Sequence, residues 1–370
     1  MVCTAACLAA AVMRRPALPI AALDLPALAI TLAIGTAGGL LGWALSVPLG
    51  LMLGSLLTVG SVAALGRRPF GRQVAVPPKL RFFFVPVIGV AIGGAFTPAV
   101  LAQIPGWWAS LLALCLYIPA AHLCGFWIYR RGGLDRSTAF FGSVPGGLIE
   151  SVTLGEEAGA DGQMLVLLQF LRLILTIVAV PLAFMALTGH AVGSASGAKM
   201  VGASVPLGWG DAAMLLAAGV GGFWGGRWLR LPAAIMTGPI IASALLHLAG
   251  GTQTVPPAWA VGATQVVIGS VLGARFAGMP PGTLVRAARL ALANAAVALV
   301  LALGFALAVG PLVGQPVAAA FLAFAPGGLA EMSLIALSLQ MSVVYVTAHH
   351  VARIVLSVSI ARAMAGRVVR

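Results

Sequence analysis

Eight carboxylates are spread over 370 residues, and two of them stand in one repeated phrase. Pro145-Gly146-Gly147-Leu148-Ile149-Glu150 returns as Pro326-Gly327-Gly328-Leu329-Ala330-Glu331, both in very apolar surroundings. Proline ends a helix and paired glycines allow a sharp turn, so each phrase reads as a helix break and a new helix start. Glu150 and Glu331 then fall in the first turn of the new helices. A carboxylate there complements the helix dipole, worth about 0.3–1 kcal/mol, or it serves as a proton or cation coupling site. A charge at bilayer depth costs about 3 kcal/mol, so two matched ones need a reason. The other six, Asp24, Asp135, Glu156, Glu157, Asp161 and Asp211, fall in expected loops.

One apolar run after each phrase comes an arginine. Arg172 sits in QMLVLLQFLRLILTIVAV and Arg353 in VVYVTAHHVARIVLSVSI. Such an arginine snorkels to an interface, pairs with the glutamate of its own repeat, or clamps a carboxylate or other anion. Gln169 and His350 lie three residues before each arginine and share its helix face. A glutamine there can coordinate through its amide, and a histidine can titrate near neutral pH.

These residues need a positioning frame, and composition says what kind. The chain is 61% hydrophobic and 8% charged, with mean hydropathy +1.08. A soluble domain carries roughly 25% charged residues, so this chain cannot cover a water-facing surface. It reads as an all-α, multi-pass integral membrane protein. The net charge of +13 comes from 21 Lys+Arg against 8 Asp+Glu, and the basic residues cluster in short loops between apolar runs. Zinc spacings, RNA-binding signatures and aromatic–basic interleaving are missing, which excludes a nucleic-acid partner. Cys3, Cys7, Cys115 and Cys124 form no C-x-x-C pair and no disulfide framework. Arg14 and Arg15 follow an apolar stretch, the reverse of a secretory signal.

A spanning helix takes about 20 apolar residues. Spans are expected near 27–45, 48–66, 82–102, 107–129 and 163–188, and again near 212–229, 232–249, 258–277, 287–309 and 342–361. The two Pro-Gly-Gly phrases occupy further apolar pieces near 136–156 and 317–338. Residues 1–26 read as an N-terminal tail, 27–188 as a first repeat, 189–211 as a Gly/Ser/Ala-rich linker, and 212–370 as a second repeat.

The halves correspond in detail. A spacing of 181 pairs Ala139, Phe140, Pro145, Glu150 and Arg172 with Ala320, Phe321, Pro326, Glu331 and Arg353. VIGVAIGGAF (87–96) matches VIGSVLGARF (267–276), each with a G-x-x-x-G that lets helices approach closely. Gly42, Pro48, Met52 and Gly54 match Gly226, Pro232, Met236 and Gly238. The charge bias, however, swaps. Loops 67–81 and 130–136 are basic and 97–106 is uncharged, whereas 250–258 is uncharged and 275–289 holds Arg275, Arg286 and Arg289. Swapped bias implies opposite orientation and an odd number of crossings per half. Ten spans plus two re-entrant or broken-helix hairpins satisfy it, with both termini on the basic, cytoplasmic side.

The paired Pro-Gly-Gly-Leu-x-Glu phrase with its downstream arginine, over roughly residues 30–365, resembles the AbrB family of integral membrane proteins. The resemblance implies a duplicated polytopic unit in a bacterial inner membrane. It also brings two functional labels, regulation of gene expression and ammonia monooxygenase. A copper or iron centre needs several converging ligands, yet His122, His190, His247, His349 and His350 form no H-x-H or E-x-x-H. No metal, cofactor or enzymatic chemistry is therefore expected, although ligands from distant helices can converge. The expectation is a secondary transporter of a small anionic or zwitterionic solute, coupled to protons or sodium. Its binding site would comprise Pro145, Gly146, Gly147, Glu150, Gln169, Arg172, Pro326, Gly327, Gly328, Glu331, His350 and Arg353. An indirect regulatory role and a membrane enzyme are the alternatives. Homo-oligomerisation stays open.

Overall fold

The computed structural model describes residues 24–188 and 206–368. The expected tail lies outside them up to residue 23, and the expected linker up to residue 205, with His190. Among the described residues, seven helices of eight or more residues make the first half: α1 Leu25–Ala44, α2 Gly50–Ala64, α3 Arg81–Gly93, α4 Trp108–Arg131, α5 Arg136–Ser143, α6 Leu148–Glu157 and α7 Gly162–Thr188. The second half repeats the order: α8 Trp209–Trp228, α9 Ala234–Leu248, α10 Ala258–Ala274, α11 Pro281–Val309, α12 Val317–Phe324, α13 Leu329–Ser338 and α14 Val343–Val368. A one-turn helix, Pro98–Leu101, precedes α4.

Among the described residues, five helical stretches are long and apolar enough to cross a membrane: α1, Pro98–Arg131, α7, α11 and α14. Their outer faces carry Leu112, Leu116, Leu123, Leu292, Val300 and Leu303 exposed, surface that water would penalise and lipid accepts. Trp43, Trp108, Trp127, Trp209, Trp224, Trp228 and Trp259 are exposed as well, and tryptophan favours the membrane–water boundary. The chain is thus a multi-pass helical membrane protein. Several expected spans are shorter helices here: 48–66 is the 15-residue α2, and 82–102 is the 13-residue α3 followed by a break.

Local chemistry sets the helix ends. Asp24 caps α1 by accepting from the Ala27 N–H (3.1 Å), and Arg72 donates to both its oxygens at 2.8 Å. Asp135 caps α5 through the Thr138 N–H (2.8 Å). The entries to α2 and α9 share an unusual backbone. Ser46 and Leu49 have φ of 53° and 49°, and their counterparts Arg230 and Ala233 have 52° and 49°. Strained conformations at equivalent positions mark one structural unit used twice.

Small residues dictate the packing. In α1 against α2, a Cβ at Gly54 would fall 2.1 Å from the Gly38 carbonyl oxygen; in α8 against α9, one at Gly238 would fall 2.0 Å from that of Gly222. The G-x-x-x-G helices then cross between halves. Gly89 of α3 lies against the Met236 carbonyl of α9, and Gly269 of α10 against that of the equivalent Met52 in α2. Helices α1–α3 and α8–α10 therefore interlock as one body, while α4–α7 and α11–α14 form a second. In the second body α11 offers an alanine stripe, Ala287, Ala291, Ala295, Ala298 and Ala302, to α4 and α7. Gly238→Ala should cost about 1–3 kcal/mol, because backbone rather than a yielding side chain blocks the methyl. An unchanged thermal midpoint in detergent would refute the close contact.

Each Pro-Gly-Gly phrase separates two short helices. The incoming arms α5 and α12 have eight residues each, and the outgoing arms α6 and α13 have ten. A full crossing takes about 20 residues, so each arm reaches only part of the way through the hydrocarbon. In the first pair the arms fold against each other: a Cβ on Gly155 of α6 would touch Phe141 of α5 at 3.0 Å. Beyond α6, the Asp161 N–H donates to Thr138 Oγ1 in the first turn of α5 (2.8 Å). The chain enters and leaves this element at nearly the same place.

Candidate functional site

The two breaks do not share one backbone conformation. Gly147 is left-handed (φ 67°, ψ 57°), whereas Gly328 is extended (φ −77°, ψ 147°). Gly147 is required by its φ. Gly328 has no such constraint; a Cβ there would meet the Glu331 carboxylate, the movable end of a flexible side chain. The Glu331 carboxylate thus curls back over the start of its own helix, as an N3 glutamate does in a capping box. Glu150 curls the same way more loosely, its Oε2 3.4 Å from the Cβ position of Gly147. Glu331 is buried and Glu150 half-buried.

Arg172 and Arg353 take the same position in both halves. Arg172 donates to the Val144 carbonyl and to Gln169 Oε1 (2.9 Å). Arg353 donates to the Ala325 carbonyl, to the Gly327 carbonyl (2.8 Å) and toward His350 Nδ1 (3.0 Å). Gln169 Nε2 donates to the Phe141 carbonyl, and His350 Nε2 meets the equivalent Leu322 carbonyl, each at 2.8 Å. Each pair satisfies the carbonyls where a short helix ends inside the protein, with a cation at the negative end of its dipole. A glutamine and a histidine perform one task because both put a nitrogen at that carbonyl. All four side chains are buried. Their partners are backbone and each other; the one ion pair among the described residues is Arg72–Asp24.

His349 bonds the Tyr345 carbonyl and Ser110 Oγ, both at 2.8 Å. Among the described residues no three His, Cys, Asp or Glu side chains gather as a metal site would require.

A cavity of about 290 Å³ lies where the two bodies meet. The second body contributes Gly147, Glu150, Phe170, Leu329 and Glu331; the first contributes Arg81, Val85, Met236, Val271 and Arg275. Of the residues expected from sequence, Gly147, Glu150 and Glu331 line this space. Pro145, Gly146, Pro326, Gly327 and Gly328 shape the breaks behind it, and Gln169, Arg172, His350 and Arg353 hold them. Arg81 and Arg275 are the cavity residues that the sequence reading left in basic loops. The repeat could not flag them, because their counterparts at a spacing of 180 are Val261 and Ala95.

Fold and site define a multi-pass helical membrane protein with two interrupted helices converging on one cavity. Residues 59–369 match the family model described as "Transition state regulatory protein AbrB", and the chain belongs to the AbrB family. It is 27% identical over 354 residues to "Uncharacterized protein YhjN" of Bacillus subtilis (strain 168), covering 89% of this chain and 90% of that one. It is 25% identical over 239 residues to "Putative regulator AbrB" of Escherichia coli (strain K12), covering 63% and 65%. These bacterial relatives accord with a bacterial membrane protein.

Proposed function

We propose that the protein is a secondary transporter of a small anionic or zwitterionic solute, coupled to protons or sodium. In this reading it is a carrier and not an enzyme. It lies in the inner membrane as two inverted repeats of five spans and one re-entrant hairpin each, with both termini cytoplasmic. The observation that carries the reading is that both break tips and both glutamates line one cavity at the seam of two bodies. Interrupted helices at membrane depth are tolerated where they line a wet cavity or are buried in protein. Their free N–H groups favour anions, and inverted repeats bring such tips together near the midplane. The return of Asp161 to Thr138 supports a re-entrant first hairpin. The crossed contacts Gly89–Met236 and Gly269–Met52 support a two-fold relation between halves.

A regulatory reading has its own support in the family description and in the printed name of the Escherichia coli relative. The two are compatible: a carrier that sets the level of an effector alters transcription indirectly. A transcript effect that survives loss of flux would favour direct signalling. Stoichiometric metal in the purified protein would favour an enzyme.

Topology is tested by single cysteines at Ala158 and Leu337, at the far ends of the α6 and α13 arms, in a cysteine-free background. The expected result is labelling of 158 from the inside and of 337 from the outside by an impermeant maleimide. Labelling of both from one face would rule out opposed hairpins and, with them, the midplane site.

A further inference from the structure

Two guanidiniums line the cavity without forming an ion pair among the described residues. Arg81 stands at the first residue of α3 and Arg275 at the C-cap of α10, both in the first body. Both line the cavity opposite Glu150 and Glu331, which belong to the second body. Among the described residues neither guanidinium is within ion-pair distance of a carboxylate. The Arg81 Nε is buried without a hydrogen-bond partner. Arg81 is partly stripped of water by burial and shares the cavity with the like charge of Arg275 and the opposite charge of Glu150. Arg275 lies over the Phe170 ring of the second body, 5.1 Å from its centroid, so its charge already reaches across the seam.

Half-buried guanidiniums that repel one another across a shared space are stabilised by an anion that accepts from both. The remaining walls define the rest of that anion. Val85, Leu173, Ile235, Met236, Ile268 and Leu272 give a mostly apolar lining, which favours hydrocarbon over hydroxylated or multiply charged solutes. The helix starts at Leu148 and Leu329 lie on the opposite wall, each with its own glutamate beside it.

We infer that the cavity binds an organic monoanion with an apolar body, a carboxylate or sulfonate, whose head is held by Arg81 and Arg275 at the seam of the two bodies. The inference names the solute class for the proposed transporter and rests on that reading for its purpose, but binding can be measured without flux. Neither arginine is repeated: Val261 stands at the position matching Arg81 and Ala95 at that matching Arg275.

The test uses purified full-length protein in lipid nanodiscs and three probes with one ring and different charge: benzoate, benzamide and benzylammonium. Titration calorimetry should show saturable benzoate binding and none for the other two. R81Q and R275Q should each weaken benzoate binding by at least about tenfold, whereas R68Q, at an exposed arginine outside the cavity, should not. R81K and R275K retain the charge, fold as wild type in their thermal midpoints, and should recover part of the affinity. Absence of saturable benzoate binding overturns the inference, as does equal binding of benzamide or unchanged affinity in R81Q and R275Q. Saturable binding without benzoate uptake into proteoliposomes would keep the anion site and remove transport. Uptake of another solute that requires Glu150 and Glu331 but ignores R81Q and R275Q would keep transport and remove the anion site.

Discussion

Arg353→Leu should destabilise the protein by about 3–5 kcal/mol, more than any other single change named above. Leucine fills much of the same volume but donates no hydrogen bond. The Gly327 carbonyl loses its donor, the Ala325 carbonyl is left with the Gly327 N–H alone, and His350 loses its neighbour. These carbonyls follow the end of α12 inside the protein, where no bulk water replaces a missing donor. Each stranded acceptor costs roughly 1–3 kcal/mol. Arg353→Lys should cost less, since one ammonium keeps the charge but cannot reach the same acceptors together. Arg172→Leu should behave alike at the Val144 carbonyl and Gln169, with a smaller loss because fewer break carbonyls depend on it. Thermal unfolding monitored by monodisperse elution in detergent gives the measurement. A wild-type midpoint for Arg353→Leu would mean that water solvates the break, and would reopen the role of Arg353 as a clamp on solute.

Glu331→Gln should leave folding intact and lower uptake into proteoliposomes by at least about a hundredfold if its proton couples transport, a loss of about 2.7 kcal/mol in the transition state. Glutamine keeps the shape and can still reach back over Gly328 at the helix start, so the helix cap survives. What it cannot do is exchange a proton or balance a cation. Glu150→Gln should give the same sign of effect. The double variant should be no worse than the poorer single one if the two carboxylates act in one cycle. Normal thermal midpoints with lost uptake would separate coupling from capping. Wild-type uptake in both single variants would reduce the pair to dipole caps worth about 0.3–1 kcal/mol each.

Gly328→Ala tests the same element from the backbone side. Its methyl would meet a carboxylate that can rotate away, whereas at Gly147 the left-handed φ of 67° penalises any side chain. The two glycines look equivalent on paper, but only Gly147 is constrained by its backbone. Their φ values differ in sign.

Much of the protein is legible residue by residue. The scarcity of charge specifies lipid surroundings, because a chain so poor in charged residues cannot solvate its own exterior. The duplication is written in matched glycines whose carbonyl contacts tolerate no Cβ, so Gly54 and Gly238 or Gly89 and Gly269 could not drift without loss of packing. Pro145-Gly146-Gly147 and its copy announce their breaks because proline and glycine act on their own backbone. What sequence could not decide is where flexible charged side chains go. For Arg172 and Arg353 the sequence left an interface, a glutamate or a solute open, and the folded chain brings backbone carbonyls to them instead. Arg81 and Arg275 read as ordinary basic-loop residues, distant in the chain and unmatched by the repeat. Only the crossing of α3 and α10 with the opposite halves turns both toward one cavity, because a guanidinium's partner is chosen by which helices pack together rather than by its neighbours in sequence.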